Sequence, residues 1–339
     1  MAQSSKAVRR GLVLGGGGML GAAWMSGALS VLAEGIGWDP REAELMVGTS
    51  AGSVLATLLG AGASTDDLRD HQLTGRLGEG PLRDIDFDYA TAAGAALPER
   101  PRIGVGSRHL LARSARHPRS IPPTAVFAAF LPLGRGSLSG VHDMVEGLPS
   151  NEAGIWSPHP GLRVMALDYD SGHRTAFGRP RAPDAALADA VTASCSIPGW
   201  FPPVSIGGRR YVDGGMWSAT NVDATAARYL AELERPPLDE VFVLAPMAVR
   251  GYDGPPESVL ERAVRRYRRS ITKRMLAEVQ RVRKNGTRVV VFCPGPEDIR
   301  AIGRNMMDEG RRPDVLETSL RTTREQLGAA WRGTRGAEV

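Results

Sequence analysis

Three short stretches of this chain carry residue types and spacings that chemistry can use. Val47-Gly48-Thr49-Ser50-Ala51-Gly52 sets a serine between glycines, where a short apolar run meets an Ala/Leu-rich segment from Ser53 to Leu59. A serine on a sharp strand-to-helix turn has its hydroxyl pushed out of the fold, above a helix N-terminus. Gly48 and Gly52 remove the Cβ atoms that would clash where strand and helix cross. Upstream, Gly15 to Gly21 form a glycine loop that opens a helix and aims several backbone N–H groups at one spot. Downstream, Asp213-Gly214-Gly215 ends a strand with a carboxylate, and no Cβ on the next two residues keeps neighbouring segments away. Together these suit acyl transfer. Ser50 attacks a carbonyl, loop amides receive the oxyanion, and Asp213 handles the proton.

Each stretch alone has a plainer reading. Gly16-x-Gly18-x-x-Gly21 suits a dinucleotide loop, but that fold needs an acid at the end of the second strand, about 20 residues on. Gly48-Thr49-Ser50 stands there instead, and no Gly-Lys-Ser/Thr makes a phosphate loop. Asp213-Gly214-Gly215 by itself is a turn with Asp capping its own backbone. A Ser-His-Asp hydrolase of the common α/β type requires a histidine after the acid. The six histidines, His71, His109, His117, His142, His159 and His173, all precede Asp213. A non-enzymatic scaffold that keeps the fold but has lost turnover is the remaining alternative.

The elements that must hold these residues follow from the hydrophobic pattern. Gly11–Leu14 and Glu44–Val47 are short buried strands, and the first helix runs from Ala22 to Glu34. Gly15 to Gly18 interrupt the apolar run from Gly11 to Ala33, so it reads as strand, loop and helix and not as a membrane span. Ser64 or Thr65 caps a surface helix ending near Leu73. From Gly75 to Gly136 the pattern loosens around the apolar patch Val126–Leu133, which is either core or a mobile lid. A hairpin (Leu162–Tyr169, Arg174–Phe177), a helix (Asp184–Ser196), a second hairpin ending at Val212, a helix opened by Asn221 (Val222–Leu233) and two buried strands (Glu240–Ala245, Arg288–Phe292) follow. This alternation predicts a mixed, mostly parallel sheet covered on both faces. On the basic helix from Ser258 to Lys284, Leu260, Val264, Tyr267, Ile271 and Met275 form one apolar stripe. Its arginines, Arg265 and Arg268 among them, crowd the remaining surface. That surface is either merely solvated or meets anionic head groups.

The chain has 339 residues, 42% hydrophobic, enough for a full α/β core. Its net charge of +5 is almost all arginine, since the lysines are Lys6, Lys273 and Lys284. No nucleic-acid-binding pattern accompanies that charge. Cys195 and Cys293 have neither disulfide nor metal spacing and suit a reducing compartment, so the expected location is cytoplasmic, either soluble or peripheral to a membrane.

Gly16-Gly17-Gly18-Met19-Leu20-Gly21, Gly48-Thr49-Ser50-Ala51-Gly52, and Asp213-Gly214-Gly215 with Asn221 resemble the three sequence blocks of the patatin-like phospholipases. Ala193 to Pro203 is similar to the stretch that precedes that family's catalytic Asp. The resemblance spans Gly11 to Leu230. It implies a three-layer α/β/α sandwich and hydrolysis of lipid acyl esters by a Ser–Asp dyad, without metal or cofactor. Carried over by motif, Ser50 is the nucleophile, Asp213 the base, and the Gly17 and Gly18 amides the oxyanion donors; the Ala51 amide joins them on geometry alone. Many relatives carry Lys or Arg where this chain has Leu20, a departure that bears on substrate class. The expected organisation is a catalytic core over 11–230, with an inserted segment near 76–137, and a strand-helix extension over 231–339 packed on the same sheet.

Overall fold

The structure, a computed structural model, describes residues 8–75, 103–117, 120–148, 156–232 and 234–335. In chain order the elements are β1 (Arg10–Leu14), α1 (Gly18–Ile36), β2 (Leu45–Thr49), α2 (Ala51–Gly60), α3 (Thr65–Thr74), α4 (Arg108–Arg116), α5 (Pro123–Phe130), α6 (Ser139–Glu146), β3 (Leu162–Asp168), β4 (Arg174–Phe177) and α7 (Leu187–Cys195). They continue with β5 (Val204–Ile206), β6 (Arg209–Asp213), α8 (Ala227–Ala231), β7 (Glu240–Leu244), α9 (Val259–Arg283), β8 (Arg288–Phe292), α10 (Pro296–Ile302) and α11 (Arg312–Arg335). The eight strands form one sheet in the order β5-β6-β3-β2-β1-β7-β8, with β4 also on β3. From β3 through β8 all neighbours are parallel, while β4, β5 and β6 pair antiparallel. The fold is a mostly parallel mixed sheet between two helical layers.

Alternation along the strands shows why both faces are covered. Leu12, Leu14, Phe242 and Leu244 pack into the core beneath α1, α2, α7 and α11, whereas Val13, Val241 and Val243 pack beneath α8 and α9. A third cluster, Leu110, Ala125, Ala128, Ala129 and Tyr169, seats α4 and α5 at the sheet edge. Ser64 and Asp67 close a reciprocal cap on α3. Helix α1 is, among the described residues, the helix long and apolar enough to cross a membrane, with mean hydropathy 1.3, but 78% of that window is buried inside the protein.

Three expectations need correction. Helix α1 begins at Gly18, ahead of Ala22, because its first turn is satisfied: the Leu20 N–H donates outside the helix to Met306 O, and the Gly21 N–H makes the first helical bond to the O of the cap residue Gly17, each at 2.9 Å. Asn221 does not open a long helix. It adopts the left-handed conformation (φ 54°) and leads into a 3-10 turn, Val222–Thr225, whose first N–H donates to Glu278 at 3.0 Å. The apolar stripe of α9 does not hold along its length. Met275, Val279 and Val282 pack on the sheet, but Leu260, Val264 and Tyr267 stand exposed while Arg265 and Arg268 are buried. The inward arginines find acceptors that apolar side chains cannot use. Arg265 donates to Gly254 O and lies over the Tyr252 ring, and Arg268 donates to Pro246 O. Of the patch Val126–Leu133, Ala128 and Ala129 are core, while Phe127 and Phe130 are exposed. Residues 76–102 of the expected insertion lie outside the described residues.

Candidate active site

The turn at Ser50 is built by close approach. A Cβ on Gly48 would sit 2.5 Å from Ser53 Cα, and one on Gly52 2.1 Å from Leu14 O, so only glycine lets β2 turn into α2 against β1. Ser50 takes the strained φ of 52° and stands as the N-cap of α2. Its N–H donates to Ser194 Oγ at 2.8 Å, and Ser194 in turn donates to Met165 O at 2.7 Å. From the other side, Asn221 Nδ2 donates to Thr49 Oγ1 at 3.0 Å. Strain at a single serine is thus held by both flanking layers.

The glycine loop lies against this turn: a Cβ on Gly16 would be 3.2 Å from Ser50 Cβ. Gly15 and Gly16 spend their N–H groups on Leu244 O and Ala219 O. Helix N-termini leave their first N–H groups without internal partners. The Gly17 and Gly18 amides have no backbone acceptor among the described residues, and neither has Ala51 at the start of α2. Gly18 sits at φ +58°, and Gly21 packs on Pro246.

The register of β3 brings Asp213 to Ser50. Thr49 of β2 pairs with Met165, and Asp213 of β6 pairs with Ala166, the next residue along. Strand β4 occupies Val164 to Leu167 on the opposite edge, so β2 and β6 share one edge of β3. They run in opposite senses and end facing each other, about 3.3 Å apart along the strand. Gly214 allows that approach, since a Cβ there would lie 2.3 Å from Met165 O. Asp213 is 3% exposed, and its Oδ1 accepts the Gly215 N–H at 2.6 Å. Burial pushes its carboxyl up to about 6, against the lowering by hydrogen bonds from Gly215 and the Ser50 hydroxyl. No histidine acts on it among the described residues. His142 faces Asp143 and Asp189, His173 meets Arg113, and His109 faces Asp170. Among the described residues no cluster of three His, Cys, Asp or Glu is placed to hold a metal.

Ser50 opens on a cavity of about 680 Å³, its mouth included, on the α1/α2 side of the sheet. Ala51, Val54, Leu55 and Leu58 line it along one face of α2, opposite Val141 and Met144. Residues that sequence reasoning missed complete the site. Cys195 lines the cavity, a thiol that burial holds neutral. Pro246, Met306, Met307 and Arg268 brace the glycine loop from the far end of the chain, and Arg268 donates to Pro246 O at 3.1 Å and to Met306 Sδ at 3.4 Å. Ser194 and Cys195 both lay within a stretch the sequence had marked, Ala193 to Pro203, but neither was read there as part of the site.

The match to the family model for patatin-like phospholipases runs over residues 12–226, taking in every element just described from β1 to Asn221. This chain belongs to the patatin-like phospholipase family. Membership implies lipid acyl hydrolase activity. No curated protein sequence matches this patatin-like chain. Among solved structures it is similar to VipD from Legionella pneumophila (14% identity, TM-score 0.43, covering 97% of this chain and 72% of that one). It is also similar to the type III effector protein ExoU (16% identity, TM-score 0.36, covering 95% of this chain and 53% of that one). The chain thus spans about half the length of ExoU. At these identities and scores the likenesses bear on no residue of the site.

Proposed function

We propose that this patatin-like protein is a serine hydrolase of lipid acyl esters that works through a Ser50–Asp213 dyad. The observation that carries the reading is the pairing of Thr49 and Asp213 with consecutive residues of β3, above an apolar cavity. Asp213, with a carboxyl near 6, is ionised at neutral pH and suited to take a proton. Ser50 Oγ attacks the ester carbonyl as its proton passes to Asp213. The tetrahedral oxyanion is received by the Gly17 and Gly18 amides and by that of Ala51. Collapse breaks the bond to the alcohol, which leaves with the proton from Asp213. Water then attacks the acyl-serine, giving its proton to Asp213, and the Ser50 oxygen recovers it as the fatty acid departs.

The acyl chain lies along α2. From Ser50 to Leu58 the wall extends about 12 Å at 1.5 Å per residue, the length of a medium acyl chain. The membrane side is the N-terminal half of α9. There Leu260, Val264 and Tyr267 are exposed beside the cations Arg262, Arg266, Arg269 and Lys273, and the Asp213 charge acts on Tyr267. Exposed apolar residues flanked by cations suit an anionic lipid surface, which supports this side as the one that meets the membrane.

A fluorophosphonate probe tests the reading. It should label the wild-type protein and leave Ser50→Ala unlabelled. Equal labelling of both, or none of a folded wild type, would overturn it, the second outcome pointing to a silent scaffold.

A further inference from the structure

On the opposite face of the sheet lies a second cavity, of about 460 Å³ with its open mouth included. Its wall carries three guanidinium groups, Arg163, Arg174 and Arg179, with Tyr229 and Met165, and no carboxylate. Arg163 is 5% exposed. Its Nη1 donates to Leu162 O at 2.7 Å and to Pro160 O at 3.0 Å, and no acid pairs with it among the described residues. Burial, reinforced by repulsion from Arg235 and Arg179, lowers its guanidinium to about 10. Arg179 bonds to Glu232 and lies over the Tyr229 ring at 4.4 Å, while its Nε is buried without an acceptor among the described residues. Arg174 is neutralised by Asp223 and also donates to Tyr229.

A buried cation without a counter-charge is strongly disfavoured, and proteins usually supply the missing anion. Here the protein supplies an anion to Arg174 and Arg179 and none to Arg163. We propose that this cavity binds a small phosphate-bearing solute, inorganic phosphate or a phosphate monoester, between Arg163 and Arg179. Guanidinium forks match the tetrahedral oxyanion and take it bidentately. Merely anchoring the start of β3 would explain the two Nη1 bonds of Arg163. It does not explain a second and a third guanidinium facing the same space, or the idle Nε of Arg179.

The cavity touches the site above it by two routes. Met165 lines the cavity, and its carbonyl holds Ser194, which holds the Ser50 N–H. Arg174 donates to Asn221 Oδ1 at 3.2 Å, and the amide of Asn221 holds Thr49. A ligand in the cavity therefore acts on residues that fix the nucleophile.

Calorimetric titration of the full chain with inorganic phosphate tests the proposal without any substrate, so it stands or falls apart from the hydrolase reading. The wild type should bind saturably, and glycerol 3-phosphate should compete. Arg179→Gln, at the more exposed rim, and Arg163→Met should each weaken binding by about tenfold or more, as expected for losing a charge-assisted hydrogen bond. Should Arg163→Met not fold, Arg179→Gln alone decides. Unchanged affinity in folded Arg179→Gln would overturn the proposal. So would absence of saturable binding by wild type at millimolar phosphate. Capture of vesicles bearing a lipid phosphomonoester, with neither soluble compound bound, would also contradict a small solute.

Discussion

The two cavities lie on opposite sides of the sheet, one apolar and lined by Ser50, the other lined by three arginines. Strand β3 differs in character on its two sides. Val164 and Ala166 face the apolar core, while Arg163 and Met165 face the basic cavity. Adjacent strand residues point to opposite faces, so one strand presents apolar side chains to the core and a charged one to the basic cavity. Its backbone has a further role: the Met165–Ala166 step aligns the ends of β2 and β6. Side chains set what each cavity holds, and the backbone register sets where the reactive groups meet.

If that division holds, damage to the apolar side leaves the basic side untouched. The largest effect expected short of removing the proposed dyad is from Gly17→Val, whose Cβ would press within 2.8 Å of Pro246 Cγ and displace the amide proposed as an oxyanion donor. Loss of one such donor reduces kcat by about 10²- to 10³-fold. Binding of a substrate analogue should fall much less, and phosphate titration of the other cavity should be unchanged. Equal losses of turnover and analogue binding would make Gly17 a structural glycine only.

The next effect is on pH dependence. Asp213 must be ionised to act as base, and its carboxyl is raised to about 6. For a soluble short-chain ester, kcat/KM should level off above pH 6 and fall about tenfold per pH unit below it. A midpoint near 4 would mean that the burial seen for Asp213 does not govern the reacting enzyme.

How much of this was legible beforehand depended on whether the constraint was local. Gly48, Gly52 and Ser50 were readable because a strand turning sharply into a helix needs those residue types within six positions. The strand-end carboxylate was readable for the same reason. The start of α1 was not, because Met306 supplies its acceptor from almost 300 residues away. Nor was the inward face of α9: periodicity ranks side chains by polarity, whereas Arg265 and Arg268 are drawn inward by the Gly254 and Pro246 carbonyls. Arg163 gave no signal at all, since nothing in its neighbours marks a buried cation.

Smaller effects sharpen the contrast of the cavities. Leu58→Trp fills the far end of the apolar one and should shift preference toward shorter acyl chains. Each methylene denied a site changes kcat/KM by about 10-fold or more. A parallel loss for all chain lengths would show that the acyl group lies elsewhere. Smallest is the effect of changing Arg262 and Arg266 to Gln in the exposed half of α9. Flotation should show weaker binding to anionic vesicles at low salt, by about 1 kcal/mol per charge, with hydrolysis of a soluble ester unaltered. Binding that ignores anionic lipid content would remove α9 from the membrane side.

The dyad itself is tested most directly by Asp213→Asn measured beside replacement of each of the six histidines, with one ester substrate. The Asn side chain keeps the shape and accepts the Gly215 N–H but cannot take the proton of Ser50. Its turnover should fall by about 10³-fold or more with the fold intact, while every histidine variant keeps most of its activity. A folded histidine variant as inactive as Asp213→Asn would show that an imidazole stands between serine and acid, and that Ser50 and Asp213 do not act alone.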